Sequence, residues 1–219
     1  MNNNGQQIQI EQQKLFNTAF ILAVFTIIYN IAEGFIATYL GYEDESLALF
    51  GFGSDSFIEV ISGIGIAVMV LRIKTHPDSQ RNKFEKTALK VTGTAFYLLV
   101  VALTLTGIYN IYYNHQPQTT FWGVVISLVS IAIMWGTIIW KSKIGKALDS
   151  EAILADTECA KVCIYMSVVL LISSLLYEFV NLPYIDSIGT LGLAFLSFRE
   201  GKECFEKASS EKYCNCHHH

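Results

Sequence analysis

Two pairs of side chains in this chain have the chemistry and the spacing to hold a cation. The first is Asp55 and Glu59, in the run Gly51-Phe52-Gly53-Ser54-Asp55-Ser56-Phe57-Ile58-Glu59. Four residues are one helical turn, so both carboxylates fall on one face of a helix. Ionised together they repel, unless they share a proton or a cation sits between them. The plainer alternative is a structural polar pair hydrogen-bonded to other helices. The second pair is Cys159 and Cys163, in Ala155-Asp156-Thr157-Glu158-Cys159-Ala160-Lys161-Val162-Cys163. It has the same spacing, and Asp156 extends its stripe by one turn. Lys161 lies roughly opposite that stripe and Glu158 about a quarter-turn off it.

A cysteine in an apolar helix is by itself often only a small apolar side chain. Beside an acid pair on another helix it becomes a candidate ligand. Two oxygens and two sulfurs from facing helices make a four-coordinate set: Asp55, Glu59, Cys159 and Cys163. Carboxylate and thiolate together suit zinc or cadmium, and thiolates favour softer ions such as mercury or Cu(I). Asp156, Glu33 and Asn30 are candidates for an additional metal or proton pathway. Helix-to-helix hydrogen bonding is the plain reading of Asn30 and Glu33.

Weaker signals lie elsewhere. Cys204, Cys214, Cys216 and His217 near the C-terminus read as a cytoplasmic metal-capturing tail, with an appended affinity tag as the alternative source of the last three histidines. His76 and Asp78 form a weak loop site, against the usual reading of a loop histidine as solvated. Gly51 to Asp55 superficially resembles an intramembrane aspartyl protease signature. The spacing is off by one residue, and Asp156 lacks the matching context.

The elements that would position these groups are membrane helices. Of the 219 residues, 52% are hydrophobic and only 16% charged, against about 25% charged in a soluble domain. The mean hydropathy is +0.40. Disorder, a collagen-like chain and a disulfide scaffold are excluded. With a net charge of −4, so is a basic nucleic-acid binder. Six apolar stretches stand out, near 15–40, 47–71, 88–113, 120–140, 150–180 and 182–198. The first four cross about 30 Å of hydrocarbon comfortably. In the fifth the dense apolar run starts only at Val162, and the sixth is short.

Charge sets the orientation. Fourteen of the 15 basic residues fall in the N-terminal segment, the loops after stretches two and four, and the C-terminal tail. The other three loops have none. The positive-inside rule then places both termini in the cytoplasm, which requires an even number of spans. Tyr39, Tyr42, Tyr112, Tyr113, Tyr177 and Tyr184 gather at the external ends like an interfacial belt. The expected fold is therefore an all-α polytopic membrane protein of six transmembrane helices. It divides into a polar segment over 1–14, a helical domain over 15–200 and a short tail over 201–219. Residues 1–14 lack the features of a cleavable signal peptide, and no linker or repeat is visible.

These patterns resemble the cation diffusion facilitator, or cation efflux, family. Ser46-Leu47-Ala48-Leu49 followed by Asp55-x-x-x-Glu59 resembles its second span. Ala155-Asp156-x-x-Cys159-x-x-x-Cys163 resembles its fifth, and Asp186 matches the start of its sixth. The resemblance covers about residues 15 to 205. It implies a homodimeric exporter of divalent metals, mostly zinc, that exchanges them for protons. Carried over by position, the transport ligands are Asp55, Glu59, Cys159 and Cys163. Cysteines stand where the family has histidine and aspartate, and Glu59 stands for an aspartate. With only about twenty residues after the sixth stretch, the family's cytoplasmic ferredoxin-like domain is not expected here, and the likeness is to a compact form.

The expected activity is thus export of a divalent heavy-metal cation from the cytoplasm by proton antiport with alternating access. The protein is expected in the cell (inner or plasma) membrane, as a secondary transporter and not an enzyme. It needs no prosthetic group, because the metal is cargo. Its partners are the metal ion, protons, the bilayer and a second copy of itself, with no nucleic acid. The rival is a membrane metal sensor or scaffold that binds without transport.

Overall fold

The computed structural model describes residues 3–75, 81–113, 117–148, 151–180 and 184–209. They form six helices: α1 (Asn3–Glu43), α2 (Leu47–Thr75), α3 (Arg81–Tyr113), α4 (Phe121–Ala147), α5 (Glu151–Val180) and α6 (Ile185–Ser209). Among the described residues there is no strand. Side chains are described outside 3–12, 72–75, 81–89 and some positions in α2 and α5, Asp156 and Cys159 among those left out.

Five helices contain segments long and apolar enough to cross a membrane: Gln13–Glu43, Leu47–Gly65, Lys90–Tyr113, Phe121–Ala147 and Ala160–Val180. The helices outrun the apolar stretches. At 1.5 Å per residue the 41-residue α1 is about 60 Å long, twice the hydrocarbon thickness. The polar residues from Asn3 onward, expected as a loose end, continue that helix. In α6 the apolar run is short because Arg199, Glu200, Lys202 and Glu203 follow Phe198. This helix is held instead by its neighbours.

The packing is organised in three close pairs, α1 with α2, α3 with α6 and α4 with α5. Helix α2 also touches α3, α5 and α6, which makes it the central element. The outer surface is apolar: Ile21, Ile28 and Phe35 of α1, Leu98 and Leu105 of α3 and Trp135 of α4 are all exposed. The interior mixes Ala37, Leu49, Phe52, Met166, Leu170 and Leu193 with buried Asn30, Asp55, Ser127, Ser130, Ser167, Thr190 and Ser197. That inversion suits lipid, where close approach of small residues and internal hydrogen bonds hold helices together. Several of these hydroxyls bond to the carbonyl one turn back, as Ser127 does to Gly123 (2.7 Å) and Ser167 to Cys163 (2.8 Å).

The α1–α2 connection shows how local chemistry sets a helix origin. Ser46 N–H donates to the Gly41 carbonyl (2.9 Å) and Glu45 N–H to that of Tyr42 (3.3 Å). Glu45 has a φ of 56°. This is a Schellman ending for α1, and it delivers Ser46 as the N-cap of α2. Close approach follows from glycine. A Cβ on Gly53 would lie 2.5 Å from the backbone nitrogen of Thr38 in α1. One on Gly41 would collide with the backbone of Phe50.

Candidate metal centre

The start of α2 is fixed from across the bundle. Asp186, buried near the beginning of α6, accepts from Ser46 Oγ (2.6 Å), from Leu47 N–H (2.9 Å) and from Ala48 N–H (3.4 Å). Ser46 Oγ in turn accepts from Leu49 N–H (3.3 Å). The first N–H groups of α2, which have no partner inside the helix, are thereby satisfied. Helix α4 begins in a similar way. Glu178 of α5 accepts from Thr120 N–H and Thr119 Oγ1, each at 3.2 Å.

From that origin α2 carries Asp55 two turns inward and Glu59 three. Glu59 is partly buried and engaged by two other helices. Asn30 Nδ2 of α1 donates to its Oε2 (2.7 Å), and the thiol of Cys163 in α5 donates to its Oε1. Asp55 is only 2% exposed. Among the described residues its Oδ1 has no hydrogen-bond partner, and neither has Asn30 Oδ1. A buried carboxylate oxygen without a donor is costly unless something else occupies the space before it.

Asp55 lines a cavity of about 30 Å³, enough for one water-sized occupant. Asn30, Asp55, Glu59 and Cys163 all line it, joined by Lys141 of α4 and Glu200 of α6. Met134 and Met166 contribute to the same wall. The cavity thus brings together one cysteine of the α5 pair, both carboxylates of α2 and a polar residue of α1. Cys159 and Asp156 have side chains outside the described residues. Among the described residues, no cluster of three or more histidine, cysteine, aspartate or glutamate side chains is closed around a metal-sized point. Instead Cys163 and Asn30 spend their hydrogen bonds on Glu59, and a cation would have to replace the thiol proton.

The remaining sequence candidates separate. Glu33 is buried but does not line this cavity. It accepts from Tyr29 Oη (2.6 Å) and Ser56 Oγ (3.1 Å) and borders an apolar groove between α1 and α4. Cys204 lies on α6, 2% exposed, within the hydrophobic core. Burial, reinforced by the nearby Glu200 carboxylate, pushes its thiol up to about 12. That is the opposite of a thiolate poised to capture metal. His76, Asp78, Cys214, Cys216 and His217 lie outside the described residues.

Sequence reading missed two groups at the cavity, Lys141 and Glu200. Both carried a signal. The buried positions of α4 run Gly123, Ser127, Ser130, Met134, Thr137, Lys141, Ile144 and Gly145, a stripe of mostly small or polar residues at helical spacing that includes the lysine. On α6 the stripe Asp186, Thr190, Leu193, Ser197, Glu200, Cys204 likewise includes the glutamate. Grouping Lys141 with its neighbours Lys143 and Lys146 as cytoplasmic cations hid that periodicity. Those two lysines are exposed, whereas Lys141 is 5% exposed.

Comparison with known proteins gives two results. Residues 19–211 match the family described as the cation efflux transmembrane domain. An uncharacterized transporter of Methanocaldococcus jannaschii is 24% identical over 178 residues, covering 79% of this chain and 62% of the relative. The chain therefore spans a little under two thirds of the length of that relative.

Proposed function

The chain belongs to the cation efflux family, a family of membrane transporters, and from that premise we propose that it exports a soft divalent cation, zinc or cadmium, from the cytoplasm. The observation that carries the reading is one cavity receiving Asp55 and Glu59 from α2 and Cys163 from α5, with an oxygen of Asp55 that has no donor among the described residues. Cys159, one turn before Cys163, supplies the fourth ligand. Carboxylate with thiolate selects zinc or cadmium over magnesium or calcium, and the thioethers of Met134 and Met166 lean the same way.

Proton exchange follows from the ligands. A metal displaces the thiol proton that Cys163 shares with Glu59, and binding therefore releases protons. Protons returning from the outside weaken the hold on the metal. Alternating access comes from rocking of helix pairs around the fixed cavity, within a homodimer whose two copies each hold one site. The organisation into a helical domain over 15–200 with short polar ends is retained in this reading.

The test is flux of zinc and cadmium in sealed proteoliposomes with and without a pH gradient. The wild type is compared with Asp55→Ala/Glu59→Ala. Gradient-driven flux lost in the double variant is expected. Equal flux in both would refute the site. Tight binding without any flux would favour a sensor instead.

A further inference from the structure

Lys141 is the feature of the cavity that a metal site does not call for. An ammonium placed where a divalent cation is to bind repels it, and burying one costs several kcal/mol unless anions surround it. Yet Lys141 is turned into the bundle, 5% exposed, and lines the cavity with Asp55, Glu59 and Glu200. Glu59 lies within electrostatic reach of Lys141, and Asp55 within that of Glu200. The four groups come from three helices, α2, α4 and α6, so their meeting is a property of the fold and not of local sequence.

Resting on the cargo reading above, we propose that Lys141 is the resident counter-charge of the cavity, a residue that offsets part of the negative charge of its lining and keeps a bound divalent cation releasable. In the loaded cavity Asp55, Glu59, Glu200 and the Cys163 thiolate together present up to four negative charges, and the Lys141 ammonium offsets one of them. Without the lysine the same cavity would carry one more uncompensated negative charge and hold the metal more tightly. A transporter gains nothing from such a hold, because tight binding in one facing state slows release in the other. Lys141 acts through the field at the site, as a positioning charge and not as a ligand.

The experiment measures equilibrium cadmium binding and cadmium flux for the full chain, Lys141→Met and Lys141→Met/Glu200→Gln. Lys141→Met is expected to bind cadmium at least about tenfold more tightly, equivalent to ~1.4 kcal/mol, with a lower KM and a lower maximal flux. The double variant restores the charge balance, and its affinity is expected to return to within about threefold of the wild type. A structural role would lower both flux and stability without tightening binding. Unchanged or weaker binding by a folded Lys141→Met overturns the proposal. So does a double variant that binds as tightly as the single one. If Lys141→Met alone does not fold, the double variant decides: wild-type-like affinity supports the counter-charge role, and a large change in either direction refutes it. Absence of any cadmium binding by the wild type would sink the cargo reading itself, and this inference with it.

Discussion

Asn30 Nδ2 in α1 lies 2.7 Å from Glu59 Oε2 in α2, so the carboxylate at the cavity is aimed by a different helix from the one that carries it. Asn30 is fully buried, and its Oδ1 has no hydrogen-bond partner among the described residues. Outer residues that orient a metal ligand typically change affinity by 10- to 100-fold when removed. Asn30→Leu is therefore expected to weaken cadmium binding by about tenfold while the protein stays folded. Isothermal titration of the variant checks it. An unchanged affinity would mean that Glu59 is positioned without Asn30.

Asp186 acts at a distance from the cavity, through the origin of α2. Its carboxylate receives two backbone N–H groups and the Ser46 hydroxyl. Asp186→Ala strips that cap and leaves buried donors unpaired, at a cost of about 1–3 kcal/mol. A lowered thermal unfolding midpoint in detergent is expected, with Asp186→Asn intermediate. Metal affinity should fall less than stability does, because Asp55 and Glu59 remain on an intact helix.

The turn between α1 and α2 carries a pH-dependent term. The carboxyl of Asp44 is raised above its ordinary range, first by desolvation and then by Glu43 and Glu178 nearby. Its Oδ2 is buried without a partner among the described residues. A raised value means that the folded state disfavours the ionised form. Stability is then greater at pH values below the ordinary carboxylate range and is lost as pH rises through the raised value. Asp44→Asn is expected to raise the unfolding midpoint slightly at pH 7. The difference should vanish near pH 4, and a gain that persisted there would contradict the assignment.

Cys204 should be chemically silent. With its thiol pushed up to about 12, roughly one molecule in ten thousand is ionised at pH 8, and the thiolate is the reactive form. Maleimide labelling followed by peptide mapping is expected to miss Cys204 in the folded protein and to reach it after denaturation. Rapid labelling of the native chain would show the residue to be accessible and would return it to the metal-capturing role expected from sequence.

Much of this was legible in the sequence, and for identifiable reasons. Long apolar runs bounded by lysine-rich loops dictate membrane helices, and α1 to α5 contain them. Spacing of four put Asp55 and Glu59 on one face, and both do line one cavity. Spacing says nothing about which helices meet, so even with a helical stripe on each of α4 and α6, only the fold brings Lys141 and Glu200 to the carboxylates of α2. Cys204 was misplaced for a different reason. Its proximity to Cys214 and Cys216 suggested a tail, but α6 continues through it to Ser209. The cysteine falls on that helix's buried face, packed near Gly93 of α3. The helical extent was hidden because charged residues after Phe198 end the apolar run without ending the helix.

In the proposed site Cys163 and the α2 carboxylates hold the same metal ion. The thiolate-to-cadmium charge-transfer absorption of the purified protein reads this out. The titration is made on a background of Cys214→Ser/Cys216→Ser, so that the tail contributes no signal. A saturable band is expected that Cys163→Ser removes or sharply reduces, and whose titration midpoint moves to at least about tenfold higher cadmium in Asp55→Asn/Glu59→Gln. A band unaltered by Cys163→Ser, or a midpoint indifferent to the two carboxylates, would show that thiol and acids do not share one ion.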